Sequence, residues 1–228
     1  MQFAFIEFAT REALMRAAAD RMADALRDAL SERGTACAAL SGGSTPAPAY
    51  RALAATPLDW QKITFALVDE RFVPPTDAAS NEGLVRRELK PALDAGAQFK
   101  PMYAPPKVEQ AADKAEAVYA PLRIDIALMG MGGDGHTASW FPGAAKLGEA
   151  LNLANSRTVM ALTAAQAEGA AERLTFTRAA FLRVGAVVLL ITGTDKRVRL
   201  EAALAGDWAP VAALFDPALP PPEVLWAA

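Results

Sequence analysis

The chain holds a single histidine, His136, two residues after Asp134 in a glycine-rich run, Gly130-Met131-Gly132-Gly133-Asp134-Gly135-His136. An imidazole, with an ordinary pKa of about 6.5, can take a proton from water near neutral pH and so suits general-base work. The apolar run before it, Ile124-Asp125-Ile126-Ala127-Leu128-Met129, reads as a buried strand. Open α/β sheets place ligands beyond the carboxyl ends of their strands, which is where His136 falls. A lone histidine can be an ordinary surface or core residue, and glycines can simply form a tight turn. Their coincidence at a strand exit favours a site. Asp134 is too close in sequence to assume a direct bond to His136, so the expectation is that it sets local electrostatics or orients the imidazole indirectly.

Two further polar stretches follow apolar runs. Ala36 to Leu40 leads into Ser41-Gly42-Gly43-Ser44-Thr45-Pro46, with a helix expected from Pro46, a favoured first-turn residue. Glycine N–H groups, the hydroxyls of Ser44 and Thr45 and a helix N-terminus together suit a phosphate; the plainer alternative is a capping turn. Ile63 to Val68 leads into Asp69-Glu70-Arg71-Phe72-Val73-Pro74. Three charges at a strand exit are not expected in a core. They form either a solvated salt-bridge corner or a place where Arg71 reaches an anion. Lys196 stands at the start of a helix expected over about 195–204, where a cation opposes the dipole unless an anion lies nearby.

Several familiar chemistries are excluded by the same residues. Gly130, Gly132 and Gly135 satisfy G-x-G-x-x-G, but Pro142 and Gly143 cut short the helix that a dinucleotide site needs. The next strand, Thr158 to Thr163, ends without the ribose-binding acid. The Ser41–Pro46 loop lacks the lysine of a P-loop, and it has Pro46 where a nucleophile elbow needs glycine.

The elements that must position these loops alternate along the chain. Residues 3–8 read as a short strand. Residues 11–33 read as a helix with Leu14, Ala18, Met22, Ala25, Leu26, Ala29 and Leu30 on one face, ended by Gly34. A helix is expected from Ser80 to about Leu89, a brief edge element at Met102-Tyr103, and a helix over 108–119 with Val108, Ala112, Ala115 and Val118 inward. Beyond residue 145 the pattern loosens. Arg173 to Thr177 alternates like a strand, Gly185 to Thr192 is a strongly apolar one, and Val224-Leu225-Trp226 reads as a last strand. Trp208, Val211, Ala213 and Leu214 read as packing. Repeated strand–helix alternation implies an α/β fold with a mostly parallel central sheet and helices on both faces, here in a single domain spanning residues 1–228. The loops Ser41–Pro46, Asp69–Pro74 and Gly130–Trp140 are then expected to converge on one crevice.

Composition fits that picture. The 228 residues are 53% hydrophobic and 21% charged, with a formal net charge of −3, which is globular and not the basic, clustered footprint of a nucleic-acid binder. Cys37, the single cysteine, cannot form an internal disulfide and reads as a small buried filler. The stretch from Met1 to Glu7 has no basic, apolar leader pattern, and Val184 to Gly193 is too short to span a membrane. A cytoplasmic protein with no nucleic-acid or membrane partner is expected.

Taken together, Ser41-Gly42-Gly43-Ser44-Thr45-Pro46, Asp69-Glu70-Arg71-Phe72-Val73-Pro74, Ser80-Asn81 and Gly130 to Pro142 resemble the 6-phosphogluconolactonase family in order and spacing over nearly the whole chain. That family shares a superfamily with glucosamine-6-phosphate deaminase. The resemblance implies a Rossmann-like fold and a phosphosugar lactone as substrate, hydrolysed without an organic cofactor; no metal is expected, and the chain is expected to be a monomer. It implies that His136 activates water with Asp134 in support, and that Ser41, Gly42, Gly43, Ser44 and Thr45 hold the phosphate with Arg173 and Lys196. Asp69, Arg71 and Asn81 line the pocket. The deaminase carries an acid in its Gly-His-Ile-Ala-Phe-Asn-Glu-Pro segment, whereas Gly135 to Pro142 here has none. A non-catalytic sugar-phosphate sensor on the same fold would keep the cradle but has no need of His136. The chain departs from the family at Gly133, often Glu, and at Trp140, often Leu, where a reshaped pocket wall is expected.

Overall fold

The computed structural model describes residues 3–167 and 169–228. Met1 and Gln2, which open the stretch read above for a leader, lie outside the described residues. The elements run β1 (Ala4–Glu7), α1 (Arg11–Arg33), β2 (Ala36–Leu40), α2 (Ala47–Ala54), β3 (Ile63–Leu67), β4 (Asp69–Arg71), α3 (Asn81–Glu88), α4 (Lys90–Asp94), β5 (Gln98–Phe99), α5 (Val108–Tyr119), β6 (Ile126–Gly130), α6 (Leu147–Ala150), β7 (Val159–Thr163), β8 (Glu172–Phe176), β9 (Ala186–Thr192), α7 (Thr194–Ala205) and β10 (Glu223–Ala227).

Seven strands form a parallel sheet in the order β1-β10-β9-β6-β2-β3-β5. From β2 the chain builds outward through β3 to β5. It then returns to β6 on the other side of β2 and builds outward through β9 and β10. The direction reverses between β2 and β6, so their exits diverge and leave a crevice at the carboxyl edge. The central strands are apolar throughout because helices cover both faces: all of Ala36–Leu40 and Ile126–Met129 is buried. α1 supplies one cover. Thr10 caps it by accepting from the N–H of Ala13, and Gly34 ends it at φ 74°, donating to Leu30 O. Its buried face, Leu14, Ala18, Met22, Leu26 and Ala29, has the helical spacing seen in the sequence and packs toward β2, β6, β9 and β10.

A second sheet was not foreseen. β4, β8 and β7 pair antiparallel, with Asp69 opposite Thr175 and Arg71 opposite Arg173. The charged triplet Asp69-Glu70-Arg71 is therefore a strand, and its middle member is core: Glu70 is fully buried. Four donors make that burial tolerable. The N–H groups of Arg71 (2.7 Å) and Asn81 (2.8 Å) donate to Oε1, while the Glu82 N–H (2.7 Å) and the Ser80 hydroxyl (3.0 Å) donate to Oε2. Glu70 thus staples β4 to the first turn of α3, where N–H groups lack helical partners. Burial, aided by Asp69 and opposed by the N–H donors, pushes its carboxyl up to about 7.

Three local expectations are corrected. The edge pairing lies at Gln98–Phe99, beside Thr64 and Phe65, and Met102 instead buries its side chain outside any ladder. Val118 is 39% exposed, because Ala111 and Tyr119 complete the inner face of α5. Trp208 is 55% exposed, and Ala209 and the 3₁₀ turn Pro210–Phe215 take the core positions after it. Among the described residues no helix is long and apolar enough to cross a membrane.

Glu70→Gln replaces one acceptor oxygen with an NH₂ that faces donors. Even the protonated carboxyl can accept through both oxygens, which the NH₂ cannot, so the change should destabilise the fold by roughly 1–3 kcal/mol near pH 5. The folded chain holds the Glu70 proton more tightly than the unfolded chain does, with about 7 against an ordinary 4.5. Stability from this group is therefore full below 4.5 and is lost as pH rises to about 7. Urea unfolding of both proteins should show the advantage of Glu70 shrinking across that window.

Candidate active site

The crevice beyond β2 and β6 is a cavity of about 350 Å³. Ser41, Gly42, Gly43, Ser44 and Thr45 line it from the β2 exit, Asp69, Arg71 and Asn81 from β4 and the start of α3, His136 from the β6 exit, Arg173 from β8 and Lys196 from α7. All the expected site residues except Asp134 face this one space; Asp134 stands behind His136. The three predicted loops do converge. A larger opening of about 510 Å³ lies across the Ser44–Thr45 loop, between α1 and α2. Its walls are apolar, exposed or, at Thr45 and Thr192, half-buried, and it gathers none of the buried polar groups.

The histidine is fixed more directly than the sequence suggested. Asp134 Oδ1 lies 2.6 Å from His136 Nδ1 and also accepts the His136 backbone N–H at 3.0 Å. Residues two apart rarely face each other. Here Gly135 adopts φ 84° and the turn is tied by Gly132 N to His136 O (2.9 Å) and Gly135 N to Gly132 O (3.0 Å). Burial works against ionisation of Asp134. The His136 backbone N–H and the neighbouring imidazole outweigh it and hold the carboxyl below its usual range. With Nδ1 committed to Asp134, Nε2 is the nitrogen left for the cavity. Gly132 is required for a steric reason: a Cβ there would fall 2.1 Å from His136 Cε1 and 2.9 Å from Asp134 Oδ1. The next residue is different, since a Cβ on Gly133 would meet nothing within 4 Å.

The opposite wall is cationic. The β4–β8 register sets Arg71 and Arg173 side by side, an arrangement of like charges that favours an anion between them. Arg71 Nη1 donates to Ala79 O and Asn81 Oδ1, both at 2.7 Å, and so is aimed by the first turn of α3. Burial lowers the Arg173 pKa, partly offset by Asp69, and the guanidinium stays charged. Burial also pulls the Lys196 ammonium below its usual value, and among the described residues no carboxylate pairs with it. Gly42 lies so close to Asn81 that a Cβ would fall 1.7 Å from its Oδ1. The Ser41 hydroxyl faces the same space, buried and, among the described residues, without a hydrogen-bond partner. Asp69 is buried in the wall, its carboxylate accepting from the Ser139 hydroxyl (2.6 Å) and from Asn81 Nδ2 (3.3 Å).

Trp140 does not reshape the pocket wall. It is fully buried, donates from Nε1 to Phe176 O at 2.8 Å and meets Phe181 edge-on. Its length lets it reach the core behind β8. Ser139, Ala138 and Phe141 were missed as site residues. Ala138 lines the cavity at φ 47°, and this turn gives no periodic signal in the sequence. Among the described residues no cluster of three or more His, Cys, Asp or Glu is placed to hold a metal ion.

The profile of the glucosamine-6-phosphate isomerases/6-phosphogluconolactonase family matches residues 9–226. A 6-phosphogluconolactonase from Mesorhizobium japonicum is 43% identical, over 96% of this chain and 93% of its own. One from Rhizobium meliloti is 42% identical, over 96% and 97%. The crystal structure of a 6-phosphogluconolactonase from Shewanella baltica superposes with a TM-score of 0.93 at 32% identity, over 100% of this chain and 98% of that one.

Gly132→Ala should drive the imidazole off Asp134 while leaving the sheet intact. A crystal structure of the variant is expected to show Nδ1 beyond hydrogen-bond reach of Oδ1, with thermal unfolding little changed.

Proposed function

The chain belongs to the glucosamine-6-phosphate isomerase/6-phosphogluconolactonase family, and from that premise we propose how its residues hydrolyse 6-phospho-D-glucono-1,5-lactone to 6-phospho-D-gluconate, a step of the pentose phosphate pathway. The observation that carries the reading is the His136–Asp134 pair facing a wall that bears Arg71, Arg173 and Lys196. A δ-lactone is an ester. Its hydrolysis needs water deprotonated beside C1, donors for the oxyanion that forms, and a proton for the departing ring oxygen.

On this reading His136 Nε2 takes the proton from water as the oxygen adds to C1. Asp134 holds the imidazole in the tautomer with its proton on Nδ1 and stabilises the imidazolium that forms, the role a carboxylate plays behind histidine in hydrolytic triads. N–H groups of the glycine loops stabilise the oxyanion. When it collapses, the bond from C1 to the ring oxygen breaks and the imidazolium returns the proton to that oxygen, leaving a hydroxyl and a carboxylic acid, which loses its proton to water to become the carboxylate. The 6-phosphate lies against the Ser41–Thr45 loop, Arg173 and Lys196. The enzyme works as a monomer in the cytoplasm and needs no organic cofactor. The deaminase reaction is disfavoured because residues 139–141, Ser-Trp-Phe, supply no acid to help open a sugar ring, and Trp140 points into the core.

His136→Ala should lower kcat by roughly 100-fold or more with little change in product affinity. Lactone consumption corrected for spontaneous opening measures this, and a variant with near-normal kcat would remove His136 from the role. Lys196→Ala and Arg173→Ala should each weaken 6-phosphogluconate binding by roughly 10- to 100-fold, since a charge-assisted contact contributes about 1.5–3 kcal/mol. Calorimetry should find gluconate binding much less affected; equal losses for the two ligands would mean that these cations do not read the phosphate.

A further inference from the structure

Phe141 has no part in the chemistry assigned so far, yet its ring touches two of the groups that do. It stacks on the His136 imidazole, with centroids 3.9 Å apart and planes inclined by 25°. The guanidinium carbon of Arg173 lies 4.8 Å from the centroid of the same ring. Both contacts suit an aromatic face, which attracts cations and stacks on flat π systems.

The hydrogen bond to Asp134 fixes one atom of the imidazole but not its plane. A ring held at Nδ1 alone can rock about that contact and swing Nε2 away from a bound water. A stacked neighbour removes this freedom, provided that the neighbour is itself held. Phe141 is held by the two residues before it and by a turn after it. Trp140 is anchored in the core by its bond to Phe176 O and its contact with Phe181. Ser139 is buried and tied to Asp69 at 2.6 Å, and the backbone turns through Phe141 N to Ser139 O (3.1 Å) and Ala144 N to Phe141 O (3.1 Å). Arg173 rests on the ring itself.

We propose that Phe141 is a positioning residue for the lactonase reaction: its ring fixes the plane of the His136 imidazole and spaces it from the Arg173 guanidinium. The inference rests on the reading of His136 as general base. It makes the separation between base and phosphate grip a property of one rigid ring, which matters because small misplacements of a catalytic group cost large factors in rate.

The test uses Phe141→Leu, which keeps apolar bulk and loses the ring, and Phe141→Tyr, which keeps the ring. Phe141→Leu should lower kcat by roughly 10- to 100-fold with KM for the lactone nearly unchanged, and Phe141→Tyr should restore most of it. Because the chain has one histidine, proton NMR reads its ring signals without ambiguity. They should be displaced upfield by the Phe141 ring current in the wild type and in Phe141→Tyr, and return toward free-histidine positions in Phe141→Leu. Should Phe141→Leu fail to fold, Phe141→Met takes its place under the same expectations. Normal kcat in the ringless variant, alongside an inactive His136→Ala, would overturn the inference and leave the general base standing. An active His136→Ala would remove the base itself. Parallel losses in kcat, KM and thermal stability with the ring signals unmoved would show a merely structural role and also overturn it.

Discussion

The hydrogen bond from Ser41 N to Leu128 O, 3.1 Å, is the last rung before the two central strands of the sheet part. Everything functional hangs from that parting. On one side the chain enters the Ser41–Pro46 loop and α2, and on the other the Gly130–His136 turn. Two main chains leaving neighbouring strands in opposite directions must open a gap, and the gap is floored by strand backbone too well packed to deform. Side chains placed at its lip therefore keep their distances. This constraint holds the His136–Asp134 pair rigidly on residues that have no regular secondary structure of their own.

A second layer of order comes from two buried carboxylates, Glu70 and Asp69. Glu70 gathers four donors from β4 and α3, and Asp69 gathers Ser139 and Asn81. A buried acid is costly unless fully satisfied, so each of these groups specifies where its partners must stand. Asn81 then aims Arg71, and Ser139 holds the segment that carries Ala138, Trp140 and Phe141. The cationic wall and the histidine wall are thus joined through Asp69.

Much of the architecture could be read from periodicity. The α1 stripe at Leu14, Ala18, Met22 and Leu26 and the apolar strands at 36–40, 63–67, 126–130 and 186–192 are local patterns with one physical meaning. The convergence of the three loops followed from their place at the exits of parallel strands. The small antiparallel sheet was not legible, because β4 is three charged residues whose burial depends on donors supplied ten to twelve residues later. The Asp134–His136 bond was hidden by a spacing that faces apart in ordinary backbone and meets only because Gly135 takes φ 84°. The exposure of Trp208 and Val118 was equally hidden: hydrophobicity says what can be buried, and only the assembled surface says which residue is left out.

Gly132 and Gly133 are adjacent, identical in composition and opposite in freedom. The first is locked by the imidazole pressed against its Cα, while the second faces open space with no unusual backbone angle demanded of it. For anyone wishing to alter this turn, the difference is a map. A new side chain can be grafted at the exposed position 133 without touching the His136–Asp134 pair. The same graft one residue earlier would dismantle it.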